Sequence, residues 1–187
     1  MKDMKKLLKK SRWIEVICIA VLAASLAYVI VWNFEDGQAK DRDAVRISSI
    51  NQIRFALNQY YDNHGTYPAC LYKKTGCASL EGDAAMPAVP EDPSTHIEYS
   101  YAAFGTGKSC NSFHLGTSLE RGGSQALLVG ADAPPEPDTA LCAGSSSDFS
   151  GLSYAPGGHQ CNTIAGIAQP TNDPTGETCF DLKPRKR

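Results

Sequence analysis

The 187 residues contain no Cys-x-x-Cys pair, and His64, His96, His114 and His159 are scattered, with no cysteine or acid at a ligand spacing. A zinc centre needs several such groups converging on one ion, so the pattern argues against one and assigns the histidines to surfaces or turns. No nucleophile elbow or phosphate loop is present. "GTGKS" at 105–109 lacks the leading glycine spacing and a following helix, and it reads as a hairpin loop. The chain therefore carries no credible catalytic constellation and is read as a non-enzyme. Positive charge is also scarce where it would matter for nucleic acid: beyond residue 34 there are 12 basic and 18 acidic residues. That balance argues against a nucleic-acid binder, and the terminal "KPRKR" reads as a solvated end.

What the sequence does have is one long uncharged run, 19 residues from Val16 to Phe34. As a helix it spans roughly 28 Å, about the thickness of a bilayer's hydrocarbon core. Lys2, Lys5, Lys6, Lys9, Lys10 and Arg12 precede it and Glu35 and Asp36 follow, so the positive-inside rule keeps the N-terminus cytoplasmic and exports the rest. A cleaved secretory signal is the competing reading. Its core is usually shorter, whereas here "AAS" at 23–25 is followed by more strongly apolar helix ending in Trp32 and Phe34. A retained anchor fits better.

Cys18 lies inside this run. The other six cysteines, Cys70, Cys77, Cys110, Cys142, Cys161 and Cys179, all follow it. An even number in a small extracytoplasmic domain implies three disulfides, with 15 possible pairings. "CLYKKTGC" favours Cys70–Cys77, because the loop is short and Gly76 is available for the turn.

After "EDGQ" a helical pattern resumes over 39–63. Ile47, Ile50, Ile53, Leu57 and Tyr60 fall on one face, and Asp43, Arg46, Arg54 and Asn58 are placed largely on the other. Gly65 and Pro68 in "DNHGTYP" predict the stop. The two segments read as one rod of about fifty residues, roughly 75 Å long, with Gly37 the weakest point. Residues 70–93 read as a loop. "HIEYSYAAF", "SFHLGTSLE" and "QALLVGAD" predict a three-stranded antiparallel meander over 96–131, packed on the helix's apolar face. Beyond Gly130 the Pro-, Gly- and Ser-rich chain predicts an irregular region stapled by disulfides, with room for one or two short strands.

The fold class is thus α+β. The organisation is a basic leader (1–12), a transmembrane helix (13–34), its amphipathic continuation (35–65) and a globular domain (66–187). A basic leader, an apolar helix with one acid (Glu15), and "RDAVRISSINQIRFALNQYYDNHGTYP" closing in Tyr-Pro occur here in order. This set resembles the type IV pilin superfamily, and within it the major pseudopilin of type II secretion. The 53 positions from Glu15 to Pro68 match the family's separation between its intramembrane glutamate and that proline. "PEDP" leading into "YSYAAF" and "SFHLGTSLE" is similar to the family's first strands.

The resemblance implies a subunit held in the bacterial cytoplasmic membrane and then assembled into a filament. Its partners would be copies of itself, minor pilins or pseudopilins, and a membrane assembly platform. Glu15 would neutralise the N-terminal amine of a neighbour, while Ile17, Val21, Leu22, Leu26, Val29 and Ile30 pack the bundle. Processing would fall at Lys10–Ser11, followed by methylation of the new amine. The family cuts after a glycine, whereas here the matching residue is Lys10 and no glycine precedes Gly37. Without cleavage, Glu15 pairs instead with Arg12, three residues earlier on the helix. The chain would then be a non-polymerising, membrane-anchored binding module. Related pseudopilins bind calcium through C-terminal carboxylates, which makes Asn172, Asp173 and Glu177 in "TNDPTGE" weak Ca²⁺ candidates, with Asp132 and Asp138 weaker still. No EF-hand-like spacing is present, and a plain turn competes.

Overall fold

The computed structural model describes residues 2–121, 124–134, 136–149, 151, 161 and 178–184, with backbone alone for 2–12, 32, 35 and 138. Helix α1 runs Lys2–His64, and Gly37 is helical. Two compact units divide the chain at Ala39/Lys40. The first is helix alone.

In the second unit, the later part of α1 buries a stripe: Asp43, Arg46, Ile50, Ile53, Leu57 and Tyr60. Steps of three and four residues keep these on one face of a 3.6-residue helix. Asp43 and Arg46 therefore belong to the buried face, contrary to the sequence expectation. The same spacing that groups the isoleucines extends through them, and loop carboxylates make burial of the arginine tolerable. The helix ends at His64 because Gly65 turns left-handed at φ +70°, and its N–H donates to the Tyr61 carbonyl at 2.8 Å.

Strand β1 is Ser100–Thr106, β2 is Ser109–Ser118 and β3 is Cys179–Leu182; they form an antiparallel sheet in the order β1-β2-β3. β1 starts four residues later than "HIEY" suggests. Asp92 ties off a turn there, accepting N–H bonds from Ser94 and Thr95, and His96 adopts φ +54°. The third strand is also not where it was expected. "QALLVGAD" contains a 3-10 turn, Leu127–Val129, that buries Leu127 and leaves Leu128 and Val129 exposed. β2 pairs instead with "CFDL", from Leu115↔Leu182 to Ser118↔Cys179.

Strand alternation gives the sheet two different faces. Tyr101, Ala103, Phe113, Leu115, Phe180 and Leu182 join the main core with the isoleucines of α1. On the reverse face, among the described residues, Phe149, Cys161 and Cys179 form a smaller apolar cluster. The three disulfides are Cys70–Cys77, Cys110–Cys142 and Cys161–Cys179, and Cys18 is free.

Candidate functional site

The apolar part of α1 is the first candidate. From Trp13 on, α1 is long and apolar enough to cross a membrane, and none of its apolar window is buried. Ile17, Val21, Leu22, Leu26, Val29 and Ile30 are 52–67 % exposed. Two of its polar side chains bond within the helix, where no water is needed: Ser25 Oγ donates to the Leu22 carbonyl and Asn33 Nδ2 to that of Val29. Glu15 is exposed on this helix, as is Cys18. The Arg12 side chain, and with it the Arg12–Glu15 pairing, lies outside the described residues, as do the side chains of Lys10 and Ser11. Asn172, Asp173, Glu177 and His159 are likewise outside them. Asp132 is exposed, with φ +44°.

Two buried polar clusters lie in the second unit, and neither was read from the sequence. In the first, all five guanidinium N–H groups of Arg46 have partners. Nε and Nη2 donate to Asp92 at 2.6 and 3.2 Å, Nη1 to Asp43 and Glu120 at 2.8 and 2.6 Å, and Nη2 also to Ser94 at 2.7 Å. Arg42 adds a second, bidentate clasp on Glu120. Burial alone would raise the Asp92 and Glu120 carboxyls, but the arginines and, at Asp92, the turn N–H groups reverse this and lower both. Asp43 behaves differently. Burial pushes it up, and its bonds to the Glu120 and Arg121 N–H groups and to Arg46 only partly offset that. The cluster clamps α1 to the turn before β1 and to the end of β2.

The second cluster centres on His114 of β2, which is fully buried and so corrects its assignment to a surface or turn. Nδ1 lies 2.8 Å from Asp148 Oδ1 and Nε2 lies 2.8 Å from Asp181 Oδ2. The ring stacks on Phe149 with centroids 3.9 Å apart. Asp181 also accepts the N–H groups of Ala131, Asp132 and Ala133, and Asp148 that of Glu136. Burial opposes charge on His114, but the two carboxylates outweigh it and raise its pKa above the ordinary 6.5. The partners stand 34 and 67 residues away, so no local spacing could have announced them.

A cavity of about 280 Å³ lies between Tyr72, Lys74, Ile97, Glu98, Tyr99 and Ser147. Lys74 and Glu98 pair across it at 2.6 Å. Among the described residues, no group of three or more His, Cys, Asp or Glu side chains is placed to hold a metal ion.

No family model, curated protein or solved structure matches the chain.

Proposed function

We propose that this protein is a pilin-like structural subunit, not an enzyme, held in a membrane by residues 13–34 and assembling with its own copies through α1. One observation carries the reading: a single helix is mainly apolar and exposed over residues 13–31 and half-buried under a disulfide-bonded α+β unit in its last part. A surface with no aqueous home needs lipid or other helices. Three disulfides fit an oxidising compartment, which agrees with export of the second unit. Val45 and Phe55 stay exposed on the later part of α1 and extend the apolar contact surface. In this reading Glu15 sets the register between neighbouring helices, and minor subunits and a membrane platform are the further partners.

A second reading is a membrane-anchored binding module that does not polymerise. It is favoured by Lys10 at the position where processing would need glycine, and by the cavity at Lys74 and Glu98.

Intact mass and N-terminal sequence of the membrane-extracted protein separate the two, combined with oxidative cross-linking through Cys18. A subunit that starts at Ser11 and forms Cys18-linked dimers, lost in Glu15→Ala, supports assembly. An intact leader on a protein that stays monomeric overturns assembly and leaves the anchored module.

A further inference from the structure

Among the described residues, the reverse face of the sheet carries few large apolar side chains: Phe149 with the Cys161–Cys179 bridge, beside Ala102 and Phe104 of β1. In the covering chain, residues 141–145 are tied to β1 by main-chain and Ser145 hydrogen bonds, whereas residues 131–133, 136 and 148 are held largely through carboxylates. Asp181 of β3 gathers the N–H groups of Ala131, Asp132 and Ala133. Asp148 takes the N–H of Glu136, and His114 lies between the two carboxylates. A carboxylate only accepts hydrogen bonds, so a carboxylate facing each ring nitrogen requires both nitrogens to carry protons. A neutral imidazole would leave one nitrogen lone pair against a carboxylate oxygen in a buried site, and the trio's net charge would go from −1 to −2.

We propose that the Asp148–His114–Asp181 trio is a pH-dependent fastener, which holds residues 131–133, 136 and 148 against the sheet while His114 is doubly protonated and releases them when that proton is lost.

Among the described residues, the surroundings do not supply a substitute cation. Asp132 and Glu136 come from the covering segment, and Lys183 follows β3 but already pairs with Glu136 at 3.4 Å. β1 presents Ala102 opposite His114. The α1 helix packs on the other face of the sheet. Release is bounded, because Cys142 stays bonded to Cys110 and β3 stays bonded to Cys161 through Cys179. Opening is therefore local and reversible.

The test uses the full chain in detergent micelles. Ring ¹⁵N shifts of His114 report its protonation, and amide exchange at Ala131, Asp132, Ala133 and Glu136 reports the fastening, from about pH 6 to about pH 9. Protection factors, corrected for intrinsic exchange, should fall by up to about tenfold per pH unit above the midpoint of the His114 titration, as expected for loss of one proton. The amide of Tyr67, bonded to the Cys110 carbonyl, is the control and should not change. Asp148→Asn removes one countercharge and should move the midpoint to lower pH, while His114→Gln should abolish the pH dependence. Asp148→Asn keeps the test decisive even if His114→Gln does not fold. Flat protection across this range, a neutral His114 throughout, or an unmoved midpoint in Asp148→Asn would overturn the proposal.

Discussion

At the scale of single residues, Arg46 illustrates how a charge can be buried inside a small α+β unit. Its side chain and that of Asp92 are both fully buried, and each of its five donors is used. Arg46→Ala would leave the buried Asp92 without its cation and remove one partner each from Asp43 and Glu120, and breaking a buried pair from one side costs about 3–5 kcal/mol. Chemical unfolding of the full chain with disulfides intact measures that loss, and Arg46→Lys should recover only part of it, since an ammonium cannot reach five partners. The pH response follows from the directions of the pKa shifts. Asp92, Glu120 and Asp148 have lowered folded-state pKa values, so their stabilisation is complete above the ordinary 3.8–4.5 and is lost as pH falls through the folded values. Asp43 is raised and opposes this, weakening stability as pH rises through its own titration. His114 is raised, so its contribution is full below the ordinary 6.5 and is lost as pH rises through its folded value. The melting temperature should therefore pass through a maximum at mildly acidic pH. A continued rise toward alkaline pH would contradict the assigned sign for His114.

At the scale of elements, the stop of α1 and the start of β1 depend on a few local groups. Nothing lies within 4 Å of a Cβ added at Gly65, so its requirement is conformational: the backbone is at φ +70°. Gly65→Ala should cost about 1 kcal/mol, read as a lower midpoint in denaturant with an unchanged slope. Gly116 is the opposite case. A Cβ there would lie 2.8 Å from both Cys161 Sγ and Phe149, so Gly116→Val should displace the ring that stacks on His114. Loss of the near-ultraviolet signature of that packing with β1–β2 intact is the expected result. The Cys110–Cys142 bridge, with a sequence separation of 32, contributes about 3–4 kcal/mol by the chain-entropy relation. The double variant Cys110→Ala/Cys142→Ala should lose about that much while keeping the hairpin. The apolar stripe of α1 was legible because its period is local. The third strand was not: "CFDL" is four residues long and is chosen by its fit to the β2 edge. "QALLVGAD" is equally apolar but turns at Leu127–Val129 and joins no strand.

For the whole molecule, the division at Ala39/Lys40 has a direct consequence. The apolar window lies in a helix whose residues 13–31 are exposed, and the core of the second unit starts at Ile50 and includes the sheet. A chain beginning at residue 35 should therefore be soluble without detergent and form the same three disulfides. Its circular dichroism should keep the sheet and the later part of the helix. Collapse or mispaired disulfides would show that the apolar segment contributes to folding of the unit, which its exposure argues against.

The existence of the apolar helix, its amphipathic continuation, the stop at Gly65 and the hairpin from β1 to β2 are set by periodicity and turn chemistry, which act over a few residues. Those features could be read from the sequence alone. Tertiary structure decided which loop carboxylates neutralise Arg46, which strand completes the sheet, and that His114 lies between two aspartates from distant segments. The physical reason is common to all three. Burying a charge or pairing a strand edge here depends on groups 34 to 74 residues away, and only packing brings such groups together.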